Sequence, residues 1–212
     1  MFNDEELAKY GYQFVQDKRL MLGNVGYSPL MPAMRTHFKE DELVTKKVLD
    51  MDFCFQVYVP DAPMTSIVTK EQADAVNVST EELDEAAKRN TVFLMQYAVG
   101  ELTPSDTPIQ HRQWVVGSNA YPFGASIMAY PEFFTKVSQD LNSDLLLLAP
   151  DHTGVTFKIW ESEIPEYTDW LRGRLDRYIK EHVEEQDILS RSIYRFSREK
   201  NTIEIVQKGE TI

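Results

Sequence analysis

Asp144-Leu145-Leu146-Leu147-Leu148-Ala149-Pro150-Asp151-His152-Thr153-Gly154-Val155-Thr156-Phe157-Lys158-Ile159-Trp160 is the stretch whose reading decides the fold. Its first apolar run is too short for a globular helix and too continuous for a surface strand, which places it at the centre of a sheet. Asp151 to Gly154 then turns the chain into Val155 to Trp160, where apolar and polar residues alternate as they do in a strand with one wet face. Immediately upstream, Pro131 stands where a first helical residue belongs. Phe133, Phe134, Val137 and Leu141 follow at spacings of three and four, so an amphipathic helix ends at Asn142. Further upstream, Trp114-Val115-Val116 and Ala125-Ser126-Ile127-Met128-Ala129 are short runs of β-formers around the turn-prone residues 118–124, and they read as a hairpin.

Downstream, Pro165 opens the longest helical pattern of the chain, with Tyr167, Leu171, Leu175, Tyr178, Ile179 and Val183 in one stripe. Arg172, Arg174, Arg177 and Lys180 lie mostly off that stripe, where their stems can cover apolar surface. The chain closes on two alternating runs, Ser192 to Phe196 and Thr202 to Val206, joined by the charged turn Arg198-Glu199-Lys200-Asn201.

The first half is less regular. Val48 to Val59 reads as one strand and Ser66-Ile67-Val68 as another. Thr69 with Gln72, and Ser79 with Glu82, have the spacing of capping boxes and start two helices, the second running on through Leu83, Ala86, Ala87 and Asn90. Glu40 to Lys47 reads as a turn or two of helix, Leu20 to Met34 as a loop packed on the body, and Phe2 to Val15 as a first helix. The expected architecture is α+β: a mostly antiparallel sheet of about six to eight strands with helices packed on one face. Residues 1–45 are expected to form an N-terminal helix and a Met- and Pro-rich packed segment, and residues 46–212 a single α+β domain.

Lys and Arg number 22 against 34 Asp and Glu, a formal charge of −12 that disfavours direct contact with nucleic acid, whose partners carry a basic footprint. It leaves a basic protein partner open. Nowhere do eighteen apolar residues run together, and Met1-Phe2-Asn3-Asp4-Glu5-Glu6 is acidic where a signal peptide is basic, so the expectation is a cytoplasmic protein that does not enter a membrane. The lone Cys54, set among Phe53 and Phe55, reads as a core thiol.

The search for chemistry returns little. His37, His111, His152 and His182 show no metal-ligand spacing, and there is no phosphate loop or nucleophile elbow, so neither a metal nor a cofactor is expected. The one enzymatic constellation that can be assembled puts Asp151, His152 and Thr153 in a loop near Ser126 or Cys54. Tyr121, Phe123 and Trp170 are candidate interface anchors, and Met21, Met31 and Met34 a candidate docking surface. The acid is concentrated in Glu71, Asp74, Glu81, Glu82, Asp84 and Glu85, the candidate partner-binding residues.

Ile67-Val68-Thr69 to Asn90-Thr91, the unit Gln113 to Trp160 with Leu141-Asn142-Ser143-Asp144-Leu145, and the tail Leu189-Ser190 to Ile203-Glu204-Ile205-Val206 resemble an uncharacterised bacterial family of mainly anaerobic Firmicutes, known as domain of unknown function 5688. With Val48 to Tyr58 these segments span most of the chain, whereas residues 1–45 lie outside the likeness. The resemblance implies an intracellular bacterial protein carried on a phage or other mobile element, and it brings no catalytic residue with it. The functional expectation is therefore a non-enzymatic protein that binds a macromolecular partner. Its acidic residues would occupy the groove of a cationic, nucleic-acid-binding host protein, as phage-borne inhibitors of restriction or CRISPR systems do. An enzyme built on Asp151-His152 is the alternative.

Overall fold

A computed structural model describes residues 30–34, 42–58, 65–117, 124–161 and 165–209. The expected helix at Phe2 to Val15, residues 20–29 of the packed loop, and the anchors Tyr121 and Phe123 lie outside these residues. Two antiparallel sheets share one core, and the class is α+β. The smaller sheet contains β1 (Leu30–Met34), β2 (Thr45–Val48), β3 (Met51–Tyr58) and β4 (Thr65–Ile67), with β3 paired to all three others. Two helices follow, α1 (Lys70–Ala75) and α2 (Thr80–Met95). The larger sheet has six strands: β5 (Val99–Glu101), β6 (Trp114–Gly117), β7 (Leu145–Leu148), β8 (Gly154–Ile159), β9 (Ile193–Ser197) and β10 (Thr202–Gln207). Their order across the sheet is β10-β9-β7-β8-β6-β5. Helix α3 (Glu132–Leu141) precedes β7, and α4 (Pro165–His182) joins β8 to the last hairpin.

The leucine run is central as expected, with β7 between β8 and β9. Its side chains divide between two cores. Leu145 and Leu147 join the main cluster with Phe133, Phe134, Phe157 and Phe196, whereas Leu146 packs with Leu171 and Ile193 and Leu148 with Leu175 and Ile179. Helices therefore lie on both faces of the sheet rather than one: α3 on the inner face, α4 on the outer. A strand without a single polar residue needs cover on both sides, because a wet face would leave two leucines in water at about 1.5–3 kcal/mol each. Phe134 carries the inner contact, its ring 6.3 Å from Phe157 and 6.0 Å from Phe196.

Both capping boxes form. Thr69 Oγ1 accepts from the Gln72 N–H at 3.1 Å and Gln72 Oε1 accepts from the Thr69 N–H at 3.0 Å. Ser79 and Glu82 repeat the exchange at the start of α2. Asn142 ends α3 in the left-handed region, at φ 50°. Val92 to Met95 is only partly covered: Met95 is buried, but the Phe93 ring is exposed beside Tyr97.

Four expectations of regular structure are corrected. Ala125 to Ala129 is not a strand and makes no hairpin with β6, whose neighbours are β5 and β8. Residues Gly124–Ala129 instead form a 3₁₀ turn buried through Met128. Both edges of β6 are taken, and a run of Gly, Ala and Ser is small enough to coil against the sheet. The close approach depends on glycine, since a Cβ on Gly124 would stand 2.5 Å from the Thr153 carbonyl oxygen and 2.6 Å from the Gly117 Cα. Glu40 to Lys47 is not helical where described, and Val48 to Val59 is not one strand: β2 and β3 form a hairpin that turns at Leu49-Asp50 with Leu49 at φ 58°. Part of the expected N-terminal loop, Leu30–Met34, is strand β1, so the boundary drawn at residue 45 is crossed by pairing between β1 and β3.

The Leu49-Asp50 turn is fastened to the larger sheet. The Asp50 carboxylate accepts hydrogen bonds from Tyr194 Oη at 2.6 Å, Ser192 Oγ at 2.6 Å and Ser190 Oγ at 3.4 Å. All three donors are buried. Leaving hydroxyls unpaired in the interior would cost more than these bonds contribute, so the cluster fixes how the two sheets meet.

Candidate functional site

The six acidic residues expected to bind a partner all lie on α1 and α2, but two of them have work inside the fold. Glu82 is the reciprocal half of the second capping box. Asp84 bonds Lys46 Nζ at 2.6 Å and accepts from Tyr130 Oη at 3.2 Å, joining α2 to β2 and to the entry of α3. Glu71, Asp74, Glu81 and Glu85 remain as exposed carboxylates. Glu85 raises the Lys88 pKa slightly, behind the Glu132 hydrogen bond that dominates it.

The Asp151-His152 loop is a surface turn between β7 and β8. Asp151 Oδ1 accepts from the Thr153 N–H at 2.8 Å, a local bond that shapes the turn, and also from the Thr153 hydroxyl. His152 Nδ1 lies 4.0 Å from Asp187 Oδ1. Ser126 and Cys54, the nucleophiles considered beside this loop, are both fully buried. Among the described residues no three His, Cys, Asp or Glu side chains are placed to hold a metal, and no helix is long and apolar enough to cross a membrane.

A different feature emerges on the outer face of the six-stranded sheet. Helix α4 does not sit over the middle of that face. Arg172 donates to the carbonyl oxygens of Gln207 at 3.2 Å, Lys208 at 3.1 Å and Arg191, beside and at the end of the β9-β10 hairpin. Arg191 and Asp176 add an ion pair at 3.5 Å. These bonds draw α4 toward the β9-β10 edge, where Leu171 meets Ile193. Of the outward-facing residues of β8, Lys158 is buried against the Tyr167 ring of α4, whereas Thr156 is left beside the helix.

The gap is a groove with a cavity of about 220 Å³. Leu171 and Leu175 of α4 form one wall, and Leu146, Leu148, Thr156 and Lys158 of β7 and β8 form the floor. Leu102 and Gln113, at the ends of β5 and β6, close the far side. Trp170, Tyr178 and Leu102 stand at the mouth and are respectively 52%, 45% and 55% exposed. Large apolar side chains exposed around a concave surface are the arrangement found at docking anchors.

The electrostatics of the groove differ from those of the chain. Among the described residues its lining contains two cations, Lys158 and Arg174, and no carboxylate. Lys158 is engaged: its ammonium bonds Glu161 at 2.8 Å and lies over the Tyr167 ring at 5.2 Å. Burial is the largest single influence and works against its charge, but Glu161 and Tyr167 together outweigh it and raise the pKa. Arg174 places its guanidinium carbon over the Trp170 ring, 5.0 Å from the ring centre, and no carboxylate pairs with it among the described residues. Burial, and then the nearby Asp151 carboxylate, push the Tyr178 pKa upward, so its hydroxyl stays neutral at the rim.

Trp170 was legible as an anchor from the sequence. Arg174 was visible only as a cation off the apolar stripe, and Leu102 only as part of a surface connection. Trp170 and Arg174 stand four residues apart on α4, but no sequence signal joins them to Leu102, which the sheet brings in from a distant segment. No family model, curated protein or solved structure matches this chain.

Proposed function

We propose that this protein acts by binding a protein partner that seats an apolar side chain in the groove between α4 and the open half of the six-stranded sheet. One observation carries the proposal: Trp170, Tyr178 and Leu102 are exposed together at the mouth of an apolar-walled cavity. Tryptophan, tyrosine and arginine around a pocket is the composition of an interface hot spot. The volume argues for a protein side chain over a metabolite, since small-molecule pockets run to about 300–1,000 Å³. The enzymatic alternative at Asp151-His152 is weaker, because Asp151 is committed to its own turn and neither residue lines the cavity.

A second reading, a basic partner held by the acidic residues, is supported by the four exposed carboxylates Glu71, Asp74, Glu81 and Glu85. A cationic nucleic-acid-binding protein is the partner that such a surface would mimic phosphate toward. The two readings separate in one experiment. A photoreactive benzoylphenylalanine is placed at Leu102 on the groove rim or at Glu81 on α2, and each protein is irradiated in a lysate of its source cells. The groove reading expects a discrete adduct from position 102 that disappears when Trp170→Ala is added, while the circular dichroism of that variant is unchanged. Adducts from position 81 alone, lost in high salt, would overturn the groove reading in favour of the acidic one. Adducts from neither position would remove both.

A further inference from the structure

Resting on the groove as the docking site, we infer that the partner segment presents its apolar side chain together with a carboxylate, which the Arg174 guanidinium receives. The argument begins with size. A buried apolar cavity of about 150 Å³ accommodates benzene, so the 220 Å³ here suits one aromatic or leucine side chain with little room beyond it. Leu146, Leu148, Leu171 and Leu175 supply walls for that side chain, and Trp170 and Tyr178 can close over it.

Charge then selects what accompanies the anchor. Within a chain of formal charge −12, carboxylates outnumber cations and most arginines near this face are spoken for. Arg172 is bonded to backbone carbonyls, Arg191 faces Asp176, and Arg195 is held by Asp144. Among the described residues, Arg174 is the arginine that lines the cavity, with an aromatic face as its partner. The contact with Trp170 holds the guanidinium at the cavity and uses none of its five N–H donors. That planar fork of donors is matched by a carboxylate in bidentate geometry. A cationic segment would meet Lys158 and Arg174 as like charges, and a neutral one would leave the Arg174 donors to water. The occupant is thus a segment in which an aromatic or leucine side chain neighbours Asp, Glu or a free chain terminus.

The test uses two small probes, N-acetylphenylalanine as its carboxylate and the corresponding primary amide, titrated into the full chain. The readout is the indole N–H resonance of Trp170, assigned by its loss in Trp170→Phe. Ligands of this size bind in the millimolar range at best, which such a titration measures. The expected result is that the carboxylate binds about ten-fold tighter than the amide, as a charge-assisted bidentate bond requires. Arg174→Gln should bring the carboxylate down to the level of the amide and leave the amide unchanged. Arg174 is exposed, and an unaltered melting temperature of the variant confirms that only the charge has been lost. Equal binding of both probes to the native chain, or an equal loss of both in the variant, would overturn this inference while the groove stands as an apolar anchor site. A Trp170 resonance that neither probe moves would remove the groove reading as well. A resonance that shifts with protein concentration, with each probe displacing the shift, would identify a second copy as the occupant and overturn the acidic-segment assignment.

Discussion

Replacing Asp50 with alanine is expected to destabilise the protein by about 3 kcal/mol. The number follows from what the carboxylate holds. Two of its hydrogen bonds, from Tyr194 Oη and Ser192 Oγ, are 2.6 Å long, and the third, from Ser190 Oγ, is 3.4 Å. Bonds to charged groups contribute about 1.5–3 kcal/mol each, which sets an upper range of about 6 kcal/mol for the two short ones. Part of this is recovered on truncation. Tyr194 Oη still lies 2.5 Å from Ser190 Oγ, and Ser192 Oγ still accepts from the Gly209 N–H at 2.9 Å, so neither hydroxyl is orphaned. The substitution also frees the Leu49-Asp50 turn, whose left-handed leucine at φ 58° is held in place by that anchor. For a chain of this length about 3 kcal/mol corresponds to a fall in melting temperature of roughly 6–12 °C. Urea unfolding of Asp50→Ala, Tyr194→Phe and the double variant measures both the size and the origin of the effect. Each single change removes the same bond, so the double variant should be more stable than the sum of the two predicts by about 1 kcal/mol or more. Strict additivity, or an Asp50→Ala cost under about 1 kcal/mol, would show that the cluster does not fasten the sheets together.

Three further outcomes are expected. Burial first, and then the neighbouring carboxylates Asp84 and Asp50, raise the pKa values of Tyr130 and Tyr194; both phenols favour the folded state while neutral. Stability from each is complete below the unfolded value of about 10 and is lost as pH rises above it. Above about pH 10 each tyrosine should add a slope approaching about 1.4 kcal/mol per pH unit, and Tyr194→Phe should lower the total slope by that amount in a urea series between about pH 10 and 11.5; an unchanged slope would contradict the burial of Tyr194. Asp144 behaves oppositely: burial opposes its ionisation, but the Arg198 backbone N–H and the Arg195 guanidinium outweigh it and hold its pKa below the usual range. Its contribution is therefore present above pH about 4 and falls away below that, so Asp144→Asn should flatten the acid limb of a stability profile. The glycines should split by sign in thermal melts. Gly173→Ala, with open space around its Cβ in α4, should gain about 0.5–1 kcal/mol. Gly124→Ala, whose Cβ would meet backbone at 2.5 Å and 2.6 Å, should lose about 3 kcal/mol or more.

Much of the fold was legible because its signals are local. The leucine run, the two capping boxes, the asparagines that end α3 and turn the last hairpin, and the apolar stripe of α4 each act within a few residues. The failures arose where a local pattern met a non-local constraint. Ala125 to Ala129 has β-forming residues, but the edge of β6 that it would need is taken by β8. The turn that divides β2 from β3 carries neither glycine nor asparagine, and only Asp50, bonded across to β9, reveals why a leucine is held there. The placement of α4 on the second face was within reach, since four consecutive leucines in a strand already demand cover on both sides.

The groove could not have been read from periodicity, because periodicity reports which residues face inward and not how far an element is displaced sideways. The displacement of α4 has an identifiable source in Arg172, which in sequence is one of several cations off the apolar stripe. Its guanidinium reaches the carbonyl of Arg191 ahead of β9 and those of Gln207 and Lys208 at the end of β10, so the helix is pulled to that edge of the sheet. The same side-step that packs Leu171 against Ile193 leaves Thr156 on the floor of the groove and Trp170 and Tyr178 exposed at its mouth. One arginine thus supports the packing of one half of the outer face and the vacancy of the other. The two neighbouring arginines of α4 divide the labour: Arg172 is spent on the fold, and Arg174, two residues further on, is left to meet whatever enters the groove.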